Sequence, residues 1–207
     1  MNIDQIKKEF PIFDNKVQNN DLVYLDSANS SQKPRIVIDR IYDFYSKEFS
    51  NVGRSVHYLA VAATNLYEQT RTSVQKYINA SDKNEIVFTK GATEAINLVA
   101  NTFGQKYLDQ GDEVLITELE HHSNYVPWHF LRKSKKINIE FAEVNDQGEV
   151  TLEEIKKKIT DRTKIICVTH LSNVTGAILP IKEIVNLAHS KGIPVLVDGC
   201  QGAPHLK

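Results

Sequence analysis

The stretch Ile193-Pro194-Val195-Leu196-Val197-Asp198-Gly199 places a carboxylate directly after a short apolar run. A run of this kind is typical of a buried parallel strand, and ligands bind at the carboxyl ends of such strands in open α/β sheets. An ionised carboxylate is costly to bury unless a cation or hydrogen-bond donors face it. The sequence therefore predicts that Asp198 lies at a binding site and faces a positively charged group, with a helix cap or turn residue as the alternative.

The chain before this stretch alternates between short apolar runs and amphipathic segments. Strands are predicted at 85–89, 113–117, 137–141, 164–169 and 194–197. Helices are predicted at 34–49 and 57–79, and between the strands at 93–107, 125–134, 152–159 and 181–190. Strands that return through helices indicate parallel βαβ units. We therefore expect an α/β fold, a three-layer sandwich with a mostly parallel sheet.

The composition is that of an ordinary globular protein, with 207 residues of which 41% are hydrophobic and 25% charged. The 25 basic and 26 acidic residues leave a formal net charge of −1, so no basic excess favours a nucleic-acid partner. No apolar stretch reaches the length of a membrane span, and residues 1–8 lack the apolar core of a signal peptide. We expect a soluble cytoplasmic protein.

Polar segments follow the other predicted strands as well. In Phe88–Asn97, Gly91 permits close backbone approach, and Thr93 can cap a helix whose free N–H groups suit an anion such as phosphate. In Val168–Gly176, Asn173 offers an amide donor and acceptor. A plain capped turn and ordinary loop hydrogen bonding are the alternatives for these two segments.

The segment Glu118–Asn124 contains the adjacent histidines His121 and His122. Such a pair can stack on a planar ring, move protons, bind a metal, or be purely structural. No set of Cys, His and Asp with metal-ligand spacing lies nearby, so we expect no metal site. A metal hydrolase built on the two histidines remains an alternative function from a different class.

These polar segments all follow parallel strands, so they are expected at one edge of the sheet. An anion-binding turn, a flat imidazole, an amide and a carboxylate would then converge. That set suits a planar cationic ring that carries a phosphate, which is the physical description of pyridoxal 5'-phosphate, PLP.

Longer motifs carry a resemblance to a known family. The run Glu120-His121-His122-Ser123-Asn124-Tyr125-Val126-Pro127-Trp128 is the most specific of them. The others are Leu25-Asp26-Ser27-Ala28, Gln32-Lys33-Pro34, Arg54 with His57, Lys90–Asn97, His170–Gly176 and Val197–His205. On these motifs the chain resembles the class V aminotransferase family, specifically the SufS/CsdA-type cysteine desulfurases.

The resemblance implies a fold-type-I PLP enzyme that removes sulfur from L-cysteine. The products would be L-alanine and an enzyme-bound persulfide, whose sulfur passes to an acceptor protein for iron–sulfur cluster assembly. The intact family is homodimeric. Residues 1–50 would be the N-terminal segment and helices that lead into the large domain, and 51–207 part of the PLP-binding large domain.

The resemblance also assigns roles around the cofactor. His122 would stack on the pyridine ring, Asp198 would pair with the pyridinium nitrogen, and Gln201 would bind the phenolic oxygen. The phosphate would be held by Ala92 and Thr93. Because Ala92 replaces the family's usual threonine, it would contribute only its N–H group.

The remaining assignments concern the substrate. Asn173 would lie near the substrate carboxylate and the cofactor phenolate. The residues towards the substrate entrance would be Ala28, Arg54 and His57.

The family's Schiff-base lysine, persulfide cysteine and carboxylate-binding arginine belong to later motifs that these 207 residues do not contain. Neither Cys167 nor Cys200 matches the nucleophile. We therefore expect no catalytic residue and no activity from this chain alone, and the C-terminal small domain to be absent. The alternative is a non-catalytic fragment that binds PLP weakly or pairs with a complementary chain.

Two later strands of the family's sheet are also outside these 207 residues. We expect them between the strands at 85–89 and 164–169. The strand at 85–89 would then lack neighbours, and the strand at 164–169 would have an open edge.

Overall fold

One parallel sheet of four strands organises the second half of the chain in the computed structural model, which describes residues 2–206. The strands are β1 (Lys16–Val17), β2 (Asn20–Asp21), β3 (Glu113–Thr117), β4 (Asn138–Ala142), β5 (Thr163–Thr169) and β6 (Val195–Asp198). The helices are α1 (Ile3–Lys8), α2 (Arg35–Asp43), α3 (Tyr58–Tyr77), α4 (Ala92–Val99), α5 (Gln105–Tyr107), α6 (Val126–Lys135), α7 (Leu152–Lys158), α8 (Ile181–His189) and α9 (Gly202–His205). A π-helical turn continues α2, and another joins α4 to α5.

The strand order of the large sheet is β4-β3-β5-β6, and every pairing in it is parallel. In the β5–β6 pair, Thr169 lies opposite Asp198, so both strands end at the same level. The polar segments that follow β3, β5 and β6 therefore leave the sheet at one edge. The α/β fold with a parallel sheet is confirmed.

The central strands β3 and β5 are buried on both faces. Their alternate residues belong to two separate apolar clusters, one containing Leu115 and Ile166 and the other Val114 and Ile165. The first cluster includes side chains of α7 and α8, and the second includes Trp128 of α6. Burial on both faces explains why these strands read as continuous apolar runs rather than alternating ones.

Local sequence signals set the ends of the helices. Thr151 precedes α7 and its hydroxyl accepts the N–H of Glu154 at 3.2 Å, while lysines occupy the last turn. Such a cap and such a charge distribution both stabilise a helix. None of the helices in residues 2–206 combines the length and the apolar character that crossing a membrane requires.

Two expectations about the sheet are wrong. Residues 83–85 form a 3₁₀ turn and 86–89 belong to no strand, because no described strand lies beside them to complete a ladder. The strand β5 does not have an open edge, since β3 and β6 flank it. The described sheet instead has open edges at β4 and β6.

The chain divides into two compact units, Met1–Val87 and Phe88–Lys207. In the first unit, β1 and β2 form a hairpin whose turn residues Gln18 and Asn19 both have positive φ, as a two-residue hairpin turn requires. The second unit contains the large sheet and its helices.

The amino end of β3 carries a buried carboxylate that is fully paired. Glu113 is 1% exposed, and its Oε1 accepts from the Nε and Nη2 atoms of Arg162, each at 2.8 Å. Its Oε2 accepts from the hydroxyl groups of Thr160 and Thr163. The guanidinium group reaches solvent while it neutralises the buried charge, so this pair stabilises the fold without a ligand.

Loss of this guanidinium group should destabilise the fold more than loss of an exposed cation. We expect Arg162→Ala to lower the free energy of unfolding by about 3 kcal/mol, because a buried carboxylate loses the one cation that pairs with it within residues 2–206. The control is Lys164→Ala, whose exposed amine lies 3.9 Å from Asp112 and should cost at most about 1 kcal/mol. Urea denaturation measures both variants, and equal losses would contradict the assigned role of the pair.

Candidate functional site

Asp198 ends β6 as a buried carboxylate, with 6% of the residue exposed. Its Oδ1 accepts the N–H of Cys200 at 3.0 Å, and its backbone carbonyl accepts the N–H of His170 at 2.9 Å. Between residues 2 and 206, no lysine, arginine or histidine forms an ion pair with it. The end of β6 therefore presents a negative charge that the described chain does not neutralise.

A second carboxylate, that of Glu120, lies in the loop that follows β3. Its Oε1 accepts from the hydroxyl of Thr117 at 2.6 Å and from the N–H of Thr169 at 2.8 Å. Its Oε2 accepts from the side-chain amide of Asn124 at 2.6 Å. Burial raises the pKa of Glu120 to about 7, and the charge of Asp198 acts in the same direction, while the three hydrogen bonds oppose them.

Sequence reasoning gives Glu120 no role beyond its place in the histidine motif. The structure makes it the residue that joins the end of β3 to the end of β5. Its position three residues after the last strand residue was the available signal, since polar groups just beyond parallel strands gather at the binding edge.

The two histidines of the motif differ in their surroundings. His121 precedes a 3₁₀ turn formed by residues 122–124, and its Nδ1 accepts the N–H of Ser123 at 3.2 Å and lies 2.8 Å from the Ser123 hydroxyl. His122 begins that turn and is exposed. The rings are 5.5 Å apart at 83°. His121 therefore acts as a local cap, and the imidazole of His122 is left exposed.

A metal site on this pair lacks further ligands. Nowhere in the described chain do three His, Cys, Asp or Glu side chains gather in a group that could hold a metal ion.

The helix α4 begins at Ala92, directly after Gly91. The prediction that Thr93 caps this helix is wrong, since the cap position is Gly91 and no side chain accepts there. Instead the carboxylate of Glu94 accepts the N–H of Lys90 at 2.6 Å. The first amides of α4, including those of Ala92 and Thr93, have no partner within the helix and carry its positive dipole end. This end can bind an anion.

Asn173 lies in a turn that begins a few residues after the end of β5, and it is exposed. The turn is closed by the N–H of Ser172, which donates to Ala177 at 2.9 Å, and by the N–H of Gly176, which donates to Ser172 at 3.1 Å. Gly176 has φ +74°, which favours glycine. The turn thus holds the Asn173 amide at the carboxyl end of the sheet.

Gln201 lies between the end of β6 and α9, and it is half-buried. Its neighbour Gly202 packs directly against the imidazole of His170, because a Cβ atom placed on Gly202 would lie 2.5 Å from Nδ1 of that ring. The loops that follow β5 and β6 are therefore in contact, and only glycine fits at their junction.

The structure brings the cofactor candidates of the second unit together at this edge. Glu120 links the segment of His122 to the ends of β3 and β5, and Asp198 ends the adjacent β6. The helix α4 lies against the 3₁₀ turn that carries His122. The second unit therefore carries a negative charge at Asp198, an exposed imidazole at His122 and, on a helix that contacts the turn of His122, terminal amides that suit an anion.

The substrate-side candidates lie in the first unit and are all exposed: Ala28, Arg54 and His57. The imidazole of His57 accepts the N–H of Ala60 at 3.4 Å and caps α3. His57 thus has a structural role of its own, and a role towards substrate stays a prediction for all three residues.

Residues 23–207 match the protein family described as Aminotransferase class-V. A "Probable cysteine desulfurase" of Halalkalibacterium halodurans is 46% identical over 207 residues, which are 100% of this chain and 51% of the relative. The cysteine desulfurase CsdA of Escherichia coli has a similar structure, with a TM-score of 0.85, 36% identity, and coverage of 99% of this chain and 50% of CsdA. The apo cysteine desulfurase of Thermococcus onnurineus NA1 gives a TM-score of 0.87 at 33% identity and covers 95% and 47%. The chain spans about half the length of these relatives.

The raised pKa of Glu120 has a measurable effect on stability. Because the folded state holds this proton more tightly than the unfolded state, the carboxyl contributes its full stability below pH 4.5 and loses it as pH rises through about 7. Relative to Glu120→Gln, which cannot ionise, the wild-type chain should lose about 3 kcal/mol between pH 4.5 and pH 8. Urea unfolding of both proteins across this range measures the difference, and parallel pH curves would contradict the assigned pKa.

Proposed function

The chain belongs to the aminotransferase class-V family, and we propose that it provides the ring-binding part of a PLP-dependent cysteine desulfurase. PLP is the cofactor of the intact family. The activity itself is a proposal, since the chain spans about half of its relatives.

The single observation that carries the proposal is the carboxylate of Asp198. It is buried at the carboxyl end of a parallel strand, and no described cation pairs with it. The raised pKa of Glu120 reflects the burial of a second carboxyl near the same charge. A protonated pyridine nitrogen would supply the cation that Asp198 lacks within the described residues.

The other residues of the edge fit the rest of the cofactor. The amides of Ala92 and Thr93 suit a phosphate at the start of α4, and the exposed imidazole of His122 suits the face of a ring. Gly91 and Gly199 border open space, because no atoms lie within 4 Å of where a Cβ would lie.

Each residue would then have a defined task. When bound, PLP supplies an electron sink for the electrons released at the substrate carbon. Asp198 holds the proton on the ring nitrogen, His122 orients the ring plane, and the α4 amides fix the phosphate. Gln201 and Asn173 would contact the phenolic side of the ring.

The proposed overall reaction converts L-cysteine to L-alanine and an enzyme-bound persulfide. Its sulfur would pass to an acceptor protein for iron–sulfur cluster assembly, in a SufS-like cytoplasmic homodimer. These finer points, together with the substrate-side roles of Ala28, Arg54 and His57, extend the family assignment.

The two cysteines of the chain do not suit the persulfide role. Cys167 is fully buried in β5, and burial raises the pKa of its thiol well above the ordinary value. Burial and the charge of Asp198 also raise the pKa of Cys200. Because the thiolate is the nucleophile, both environments disfavour attack. We therefore propose that these 207 residues alone do not turn over cysteine.

A desulfurase assay tests this proposal. The 207-residue polypeptide, L-cysteine and PLP should give no alanine or sulfide above the background of free PLP. Addition of the second half of the Halalkalibacterium halodurans relative is the informative second arm, because β6 presents an open edge where Val197 is 38% exposed. Activity that appears only in this arm would favour pairing with a complementary chain. Activity of the polypeptide alone would contradict the proposed inactivity.

Binding of the ring can be measured without covalent chemistry. The probe 4'-deoxypyridoxine 5'-phosphate has no aldehyde, so it cannot react with surface lysines. Asp198→Asn should weaken its binding about 10- to 100-fold, because the ring nitrogen loses a charge-assisted hydrogen bond. The control Asp146→Asn, in an exposed turn, should bind as the wild type does. Equal affinities in equilibrium dialysis would contradict the role of Asp198.

A further inference from the structure

The Glu120 side chain forms hydrogen bonds to Thr117, Asn124 and Thr169, which lie in separate segments of the site. We propose that Glu120 is a positioning residue, which holds the turn that carries His122 and the ends of β5 and β6 in fixed positions relative to one another. The inference deepens the proposed function, on which it rests for the identity of the ligand.

The contact with Asn124 connects Glu120 to the turn that carries His122. Asn124 is fully buried, and its Nδ2 donates to Glu120 at 2.6 Å. Its Oδ1 has no partner within residues 2–206. Asn124 ends the three-residue turn that begins with His122. The bond to Glu120 is thus the side-chain anchor of the turn that presents the imidazole.

The contact with Thr169 connects Glu120 to the end of β5, which lies beside Asp198. The N–H of Thr169 donates to Glu120 at 2.8 Å, at the point where β5 ends. Thr169 lies opposite Asp198 in the sheet, and the next residue, His170, donates its N–H to the Asp198 carbonyl. A shift of Glu120 would therefore displace the end of β5 relative to Asp198, the residue proposed to face the ring nitrogen.

The length of the side chain matters more than its charge in this arrangement. Glutamine has the same length, and its carbonyl oxygen can still accept from both Thr117 and Thr169. The Asn124 amide can turn to offer Oδ1, which is unpartnered in the described chain, to the glutamine NH₂ group. Aspartate keeps the charge but is one methylene shorter, so it cannot reach all three donors.

The experiment compares Glu120→Gln with Glu120→Asp. NMR spectra of isotope-labelled protein without ligand give the chemical shifts of the Thr169 amide, the His170 amide and the His122 ring. Glu120→Asp should shift all three sets of resonances, and Glu120→Gln should leave them near their wild-type positions. The matched control is Glu118→Asp, because Glu118 is an exposed carboxylate two residues earlier that accepts the N–H of Val144 at 2.9 Å and, within residues 2–206, has no hydrogen bond to the site.

Binding of 4'-deoxypyridoxine 5'-phosphate is the second readout. We expect a loss of about 10-fold or more for Glu120→Asp and less than about 3-fold for Glu120→Gln, since only the former misplaces the donors. If Glu120→Asp does not fold, Asn124→Ala takes its place and should shift the His122 ring while leaving the Thr169 amide unchanged.

The two proposals fail in different ways. Wild-type chain that does not bind the probe overturns the proposed function, while the NMR comparison still decides the role of Glu120. Wild-type-like resonances in Glu120→Asp, or equal disturbance in Glu120→Gln, overturn the positioning role.

Discussion

The site depends on one electrostatic constraint, which is the unbalanced negative charge at the carboxyl edge of the sheet. Asp198 ends β6 without a described cation, and Glu120 bonds across the end of β5. Two carboxyl groups in partly buried surroundings raise the cost of ionisation, and the pKa of Glu120 near 7 expresses that cost. A cationic ligand at Asp198 would balance the charge there. The chemistry proposed for the chain follows from this need for a cation.

The parallel sheet makes this constraint possible. Strands β3 and β5 are buried on both faces, so their apolar residues fix the strand register without help from the polar ends. The loops beyond the strands are then free to carry polar groups, and the matched ends of β5 and β6 bring those groups to one level. Gly202, packed on the ring of His170, closes the junction between two of these loops. A rigid scaffold with polar loops at its carboxyl edge suits the binding of a flat ligand.

The sequence predicts the parts of this architecture that depend on local pattern. The strand at 113–117 is found with those bounds, and the other three strands of the large sheet agree within one residue at each end, because short apolar runs between helices leave little choice. The failures concern partners outside the local pattern. Residues 85–89 have strand-like composition, but no strand within residues 2–206 pairs with them, and Glu120 gains much of its importance from its bond to Thr169, far along the chain. Local signals also misplaced the helix cap from Gly91 to Thr93, since glycine leaves no side-chain signature.

The amino and carboxyl edges of the sheet offer an internal comparison between paired and unpaired buried carboxylates. At the amino end, Glu113 is more deeply buried than Asp198, yet a guanidinium group and two hydroxyls satisfy it entirely. The fold thus stabilises one buried carboxylate entirely with its own side chains. At the carboxyl end the same fold places two carboxyl groups and provides amides and hydroxyls but, within the described residues, no cation. Selection for stability alone would favour the first arrangement at both ends, because an unpaired buried charge costs several kcal/mol (about 3–5) when its partner is removed. The unpaired end is therefore the one that the proposed cationic ligand would explain.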